Sequence, residues 1–232
     1  MFVSVLMFAA LLLWDASGAD AALARLAGTP SGFTSRSHPL LAVWMHEGGK
    51  ALGWALVLAL LLAVHWPVGV LRRLPRAQRW QLALGPLAAV AVVTLLKQHS
   101  RTSCPWDLQE FGGTAAWVSH WAWGVRESHW AWGVRDGGPG HCFPAGHATT
   151  AFGFVGGWFV LREVSARAAW LWLGAAAAAG LALGLGQQWR GAHFMSHTLW
   201  SAWISWAMGL LLELLYRRLR DRRARAWPTA RS

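Results

Sequence analysis

Charged residues are scarce in this chain, and acidic residues are the scarcer kind. Only 13% of the 232 residues are charged, and the 10 Asp and Glu are outnumbered by 21 Lys and Arg. Tyrosine occurs once and cysteine twice, whereas 55% of the residues are hydrophobic and 19 are tryptophan. This composition is too apolar for an ordinary soluble domain. The length suits one domain, and we expect a single membrane-embedded domain over 1–232.

The excess of positive charge, formally +11, raises the possibility of nucleic-acid binding. The basic residues, however, lie in short segments between apolar runs, at 71–79 and 162–167, and in the tail 217–232. That distribution is typical of the cytoplasmic loops of a membrane protein. We therefore expect membrane lipids and no nucleic acid as partners, with the C-terminal tail in the cytoplasm.

Five apolar stretches approach or reach the roughly 20 residues that a helix needs to cross a bilayer. They are residues 50–70, 80–96, 147–161, 170–189 and 194–216. A sixth, FVSVLMFAALLLW at 2–14, is either a first helix or the core of a cleaved signal peptide. Its lack of a basic flank favours a retained helix. The pattern predicts an all-α bundle of about six transmembrane helices in a bacterial inner membrane.

Three polar segments fall at the outer, periplasmic ends of the predicted spans. They are KQHSRTSCPW at 97–106, FPAGH at 143–147 and RGAHFMSH at 190–197, and with the turns between them they make up the core motifs over 97–201. Ionisable residues at the membrane boundary are candidates for function. A bundle would bring six of them together: Lys97, Arg101, His147, Arg190, His193 and His197.

These residue types suit a phosphate. Lys and Arg side chains form an anion clamp. Backbone N–H groups at Ala145 and Gly146, at a helix N-terminus, would add further donors. Of two histidines facing one phosphate, one attacks phosphorus and the other protonates the leaving oxygen.

Two other kinds of function remain open. His193 and His197 are spaced i, i+4, as in helical metal pairs, and His141, His147 and Cys142 could converge on them. The surrounding cations would repel a metal ion, so we expect no metal and no cofactor. A non-catalytic binding or transport protein is the second alternative.

The three motifs and their order resemble those of the type 2 phosphatidic acid phosphatase superfamily, membrane lipid phosphatases related to vanadium haloperoxidases. The family signature is K-x6-R-P, P-S-G-H and S-R-x5-H-x3-D, and the resemblance covers roughly residues 50–216. It implies metal-independent hydrolysis of a lipid phosphomonoester or diphosphate through a phosphohistidine. It also implies that Lys97 and the Gly146 N–H bind phosphate, that His147 is the general acid and that His193 is the nucleophile.

Two family arginines are displaced in this chain. Cys104 stands where the first motif has arginine, and Arg101 lies three residues earlier. Gln187 stands where the third motif has arginine, and Arg190 lies three residues later. In a helix, a shift of three residues keeps nearly the same face. We therefore expect both guanidinium groups to reach the pocket.

Two further departures weaken the motifs. Ala145 replaces a serine, and the lost hydroxyl donor is worth roughly 1–3 kcal/mol. His197 replaces the aspartate that orients the nucleophile. The long outer loop offers three carboxylates in its place: Asp107, Glu110 and Asp136.

Some properties stay open at this stage. Cys104 and Cys142, both predicted on the outer side, are either bridged or free thiols. The tandem repeat SHWAWGVRE–SHWAWGVRD at 119–136 either lengthens a loop or forms a tryptophan-rich interfacial element. The anion clamp of Lys and Arg side chains recognises a phosphate group and not the hydrocarbon tail of a lipid. The sequence therefore does not choose among several lipid phosphates as the substrate. A lipid-to-lipid phosphotransferase is the close alternative, and the sequence does not indicate an oligomeric state.

Overall fold

The structure is a computed structural model that describes residues 2–121 and 133–226. Its helices are α1 (Phe2–Ala16), α2 (Ala19–Arg25), α3 (Gly49–His65), α4 (Arg76–His99), α5 (Gly146–Phe152), α6 (Gly157–Leu161), α7 (Ala166–Trp189) and α8 (Met195–Ala226). A π-helical segment, Leu40–Gly48, leads into α3, and 3-10 turns lie at Gly69–Arg73, Pro105–Asp107, Gln109–Phe111 and Gly153–Gly156. A small antiparallel hairpin pairs β1 (Gly28–Thr29) with β2 (Gly32–Phe33). The all-α fold class predicted from the sequence is confirmed.

Four helical segments of the described ranges are long and apolar enough to cross a membrane: Leu40–Arg73, Arg76–His99, Ala166–Trp189 and Met195–Arg223. The pair α1 and α2, bent by 64°, makes a fifth if the two form one span. The predicted number of about six therefore becomes four or five. The difference is the stretch at 147–161, because α5, the following 3-10 turn and α6 together are too short to cross a bilayer by themselves.

The short α5–α6 run lies inside the bundle, against α4, α7 and α8. Phe152 and Phe154 are buried in its core. Glycines permit close approach: a Cβ at Gly156 would lie 2.8 Å from Cα of Gly209 in α8. This enclosure fixes His147, in the first turn of α5, relative to the three long helices.

The arginine-rich segments meet at one end of the bundle, here called the basic end. Glu213 of α8 is buried and accepts hydrogen bonds from Nε2 of Gln81 in α4, at 2.9 Å, and from Arg217. Arg217 also donates to Glu163 at 3.0 Å. The start of α4, the α6–α7 connection and the last turns of α8 therefore share this end.

The opposite end, here called the motif end, is covered by α2, the hairpin and the residues between α4 and α5. Phe33, Phe111 and Phe194 pack there in a small apolar cluster. Gly191, between α7 and α8, has φ of 74°, and a Cβ there would lie 2.4 Å from the ring of Phe33. Glycine is therefore required in the turn that presents the third motif.

Helix α1 packs along α8 through tryptophans. The indole N–H groups of Trp203 and Trp206 donate to the backbone carbonyl and hydroxyl of Ser4, at 3.1 and 3.0 Å. Most of the tandem repeat, residues 122–132, lies outside the described residues, so both interpretations of it stay predictions.

Candidate active site

His147 and His193 face each other at the motif end. His147 lies in the first turn of α5 and His193 in the turn before α8, and their ring centroids are 6.3 Å apart. His193 is only 2% exposed. This burial lowers the pKa of the His193 imidazole well below its usual value, and the charge of Lys97 acts in the same direction. His193 is therefore a neutral ring at physiological pH, as a nucleophile requires.

A disulfide joins the first motif to the second. Cys104 and Cys142 are bonded, and the Cys142 N–H donates to the Thr102 carbonyl at 2.9 Å. The sulfur of Cys142 lies 3.4 Å from Nδ1 of His193. A disulfide sulfur carries no proton, so Nδ1–H is the donor in this weak contact. That tautomer leaves the lone pair on Nε2 of His193.

The second motif is also tied to the third through its backbone. The Ala145 N–H donates to the carbonyl of His197 at 3.1 Å, and the Ala145 carbonyl accepts the Thr149 hydroxyl at 3.0 Å. The backbone of Ala145 is thus used within the fold. Of the two predicted backbone donors, Gly146 is the one left at the start of α5.

Lys97 and Arg190 lie with the two histidines. Lys97 lies in the last turn of α4, and a Cβ at Gly146 would stand 4.0 Å from its Cδ. Burial lowers the pKa of the His147 imidazole, and Lys97 and Arg190 act in the same direction together with His46 and Lys50. Burial lowers the pKa of the Arg190 guanidinium, because the charged form is less well solvated there and no carboxylate among the described residues pairs with it.

Arg101 lies elsewhere. It lines a separate cavity of about 380 Å³ with Arg135, His99 and His141, and its charge is not among the largest influences on the pKa of His147 or His193. The physical reason is that α4 ends at His99 and the backbone is extended at Ser100. A shift of three residues therefore does not keep the same face there.

Arg190, unlike Arg101, lies where the backbone is still helical, so a shift of three residues keeps it on nearly the same face. Its backbone continues the helical conformation at the end of α7, and its Nη1 donates to Oε1 of Gln187 at 3.1 Å. The displaced guanidinium thus stands beside the side chain that occupies the family position.

Two further residues belong to the site and carry no motif spacing in the sequence. His46 stacks on His147 with ring centroids 3.7 Å apart. The carbonyl of Arg36 accepts Nε of Arg190 at 2.8 Å, and the two guanidinium groups lie 4.5 and 6.0 Å from the centroid of the Trp106 ring. In the sequence, Arg36 and His46 are recognisable only as basic or imidazole side chains in the stretch 14–49, which connects the first two predicted spans on the outer side.

The three loop carboxylates have other partners. Asp107 accepts the Cys104 N–H at 3.2 Å, Glu110 pairs with Arg25, and Asp136 accepts the N–H and hydroxyl of Ser103. Burial raises the pKa of the Asp107 carboxyl. His197 is fully buried, and both of its ring nitrogens lack a hydrogen-bond partner among the described residues.

One group of potential metal ligands occurs in the described ranges: Cys104, Cys142 and His193, with ligand atoms within 4.8 Å of one another. The two sulfurs are bonded to each other, and thiolates are the form in which cysteine binds metals. Of the other proposed ligands, His141 has its Nδ1 3.3 Å from the Lys97 carbonyl, and His147 and His197 are not part of this group.

Comparison with known proteins gives one match. The family model of the PAP2 superfamily matches residues 78–221, more than half of the chain. No curated protein and no solved structure matches. The matched range contains all three motifs and supports a phosphatase-type activity, whereas Arg36 and His46 lie before it. The chain therefore belongs to the PAP2 superfamily.

Proposed function

We propose that the protein is an integral-membrane lipid phosphatase that cleaves a lipid phosphomonoester or diphosphate through a phosphohistidine on His193. The observation that carries this proposal is the pairing of His147 and buried His193 beside two cations, Lys97 and Arg190. In the described ranges no carboxylate is hydrogen-bonded to either ring. Lys97 and Arg190 attract a phosphate and repel a metal ion, so the proposed reaction is metal-independent.

The proposed reaction has two steps. Nε2 of His193 attacks phosphorus, the bond between phosphorus and the lipid oxygen breaks, and His147 donates a proton to that oxygen. His147 must take up this proton when substrate binds, because the dianionic phosphate favours the protonated ring. Water then attacks the phosphohistidine while His147 accepts its proton, which releases inorganic phosphate and restores His193. Lys97 and Arg190 stabilise the charge on the equatorial phosphate oxygens in both steps.

An apolar cavity beside the site supports a lipid substrate. It has a volume of about 410 Å³ and lies between α3, α5 and α7. Thr150, one turn after His147, lines its wall, and Ala175, Ala179 and Leu183 line it along α7. Small side chains on α7 leave room for a hydrocarbon chain whose phosphate is held at the histidines.

The proposed location of the site is the periplasmic side of the inner membrane. The basic end holds the arginine-rich segments, and such segments stay in the cytoplasm. The motif end lies at the other end of α4, a helix of 24 residues, or about 36 Å. A disulfide at the motif end fits an oxidising compartment.

The test is phosphate release by the detergent-purified protein from a panel of lipid phosphates and a polyprenyl diphosphate, with EDTA present. We expect EDTA-resistant release that disappears in His193→Ala. Acid-labile, base-stable incorporation of ³²P into the wild type, absent from His193→Ala, would identify the intermediate.

The matched control is His141→Ala, a histidine of the same motif end that lines the separate cavity. It should keep its turnover. Release abolished by EDTA would replace the proposal with the metal-dependent alternative. Phosphate transfer to an added lipid phosphate, without release to water, would indicate the phosphotransferase.

A further inference from the structure

We propose that Asp15, acting through His120 and His197, supplies the carboxylate that orients the nucleophile His193. Asp15 belongs to α1, far outside the three motifs. His197 occupies the family position of that carboxylate, so the chain needs another source for it. This inference rests on the proposed function of His193.

Asp15 is a buried, firmly held carboxylate. Its Oδ2 accepts hydrogen bonds from Nε2 of His120 at 3.3 Å, and from the indole N–H groups of Trp121 at 2.7 Å and Trp200 at 2.8 Å. Its side chain is 6% exposed. Three donors on one oxygen, two of them on rigid indoles, fix the position of the carboxylate relative to α8.

Two imidazoles separate Asp15 from the nucleophile. The His120 ring stacks on Phe143 with centroids 4.2 Å apart and meets the His197 ring edge-to-face at 6.0 Å. The His197 ring in turn lies 5.7 Å from that of His193, also edge-to-face. The row Asp15–His120–His197–His193 thus continues from α1 to the reacting ring.

His197 is the member of the row that most needs hydrogen-bond partners. Both of its nitrogens are buried and have no hydrogen-bond partner among the described residues. Buried polar atoms without partners are rare. The rings of Phe143 and Phe194 close two sides of the His197 ring. The polar groups nearby are the backbone of Cys142 and the ring nitrogens of His120 and His193. Catalytic hydrogen bonds are often long in a free enzyme and shorten when substrate binds.

The row fixes a tautomer. A neutral imidazole donates from one nitrogen and accepts with the other. If the last acceptor is a carboxylate, the N–H of each ring must lie on the side of Asp15. For His193 this is the Nδ1–H that also makes the weak contact with the sulfur of Cys142, and the lone pair is left on Nε2, the nitrogen that attacks phosphorus. When that nitrogen bonds phosphorus, the His193 ring becomes cationic, and the row is polarised towards the negative charge of Asp15. Asp15, His120 and His197 are therefore positioning residues.

The test is a double-mutant cycle between Asp15→Asn and His197→Asp, read by kcat and KM for lipid phosphate release. Asp15→Asn alone should lower kcat about 10–100-fold, the loss seen when groups that orient functional histidines are removed, with KM unchanged. In the His197→Asp protein, a carboxylate contacts His193 directly, so Asp15→Asn should cause no further loss. Equal losses in both backgrounds, or a change in KM alone, would overturn the inference.

Asp20→Asn is the matched control. Asp20 is a carboxylate in the first turn of α2, just after the end of α1. It accepts the Trp14 indole N–H at 3.0 Å and the Ser196 N–H at 2.9 Å, and neither partner belongs to the histidine row. Its loss should leave kcat unchanged. A fall in kcat equal to that of Asp15→Asn would mean that any change at this end of α1 disturbs the site, and would overturn the inference.

A second cycle covers the case in which buried His197→Asp does not fold. His120→Gln keeps an N–H donor for Asp15 but removes the imidazole, so it should lower kcat as Asp15→Asn does, and the two losses should not add. Additive losses, or a mature protein that lacks residue 15, would overturn the inference. Full activity in His193→Ala would instead reject the proposed function itself.

Discussion

The two ends of the bundle hold the same kinds of cation in opposite surroundings. At the basic end, Arg217 bonds Glu163 and the buried Glu213. At the motif end, Lys97 and Arg190 lie beside histidines, and in the described ranges no carboxylate pairs with either. The carboxylates near the motif end, such as Asp107, Glu110 and Asp136, have other partners, so Lys97 and Arg190 are left without one.

This difference indicates what each end does. Paired charges at the basic end satisfy one another and connect α4, α6 and α8. At the motif end, Lys97, Arg190, His147 and His193 have no ion pair within the described part of the protein, and clustered groups of this kind are candidates for function. A bound anion would supply the missing negative charge. The charges at the basic end therefore serve the structure, and we propose that those at the motif end bind a phosphate.

The largest expected effect comes from removing one cation at each end. Lys97→Met should lower kcat/KM about 10²–10³-fold, the loss seen when one donor to a developing oxyanion is removed, with little change in thermal stability. Arg217→Met is the matched variant and should keep its activity per folded molecule. The measurements are phosphate release and the melting temperature in detergent. A similar activity loss in both variants would contradict the conclusion that the cations of the two ends have different roles.

The reverse experiment removes the buried acid at the basic end. Glu213→Leu leaves Nε2 of Gln81 without its acceptor in a buried setting, so we expect a loss of about 1–3 kcal/mol in the free energy of unfolding. Turnover per folded molecule should stay at the wild-type level. Denaturant unfolding in detergent gives the first quantity and active-site titration the second. An inactive but fully stable variant would place Glu213 in the catalytic path.

The sequence predicts the parts of the site that depend on local pattern. Apolar length and arginine spacing define the ends of the helices, and the position of His147 and His193 at those ends follows. The sequence predicts a site residue less well where its position depends on the local backbone conformation. Arg101 and Arg190 are both displaced by three residues, but only Arg190 continues a helix, because α4 stops at His99. The sequence does not indicate where α4 stops.

The remaining residues depend on tertiary packing. Arg36 and His46 come from the segment before α3, and Asp15 lies near the end of α1. They meet the motifs only because that segment folds over the motif end and α1 packs along α8. No spacing in the sequence encodes such contacts. The sequence therefore favours a replacement carboxylate in the long loop, although the fold uses the acids of that loop elsewhere.

A smaller effect on activity should follow from filling the apolar cavity while leaving the proposed phosphate-binding residues, Lys97 and Arg190, unchanged. Ala179→Phe places a ring among the cavity walls. We expect KM for a long-chain lipid phosphate to rise about tenfold, the size of effect typical of an apolar pocket that no longer accommodates one or two methylene groups. Hydrolysis of a short water-soluble phosphomonoester should not change. The neighbouring Ala178→Phe, on a face of α7 outside the cavity lining, is the control. Equal effects on both substrates would argue that the cavity does not hold the lipid chain.

The smallest expected effect is a pH-dependent difference in stability that is due to His193, the proposed nucleophile. Burial lowers the pKa of His193 in the folded protein, while the unfolded ring keeps a pKa near 6.5. As the pH falls below this value, the unfolded chain takes up a proton that the folded chain does not, so stability decreases by up to about 1.4 kcal/mol per pH unit from this ring. His193→Gln has no proton to take up. Between about pH 7 and about pH 5.5, where an unperturbed histidine titrates, its melting temperature should fall less than that of the wild type. Parallel decreases would mean that His193 is already charged in the folded state, and a charged ring has no lone pair with which to attack phosphorus.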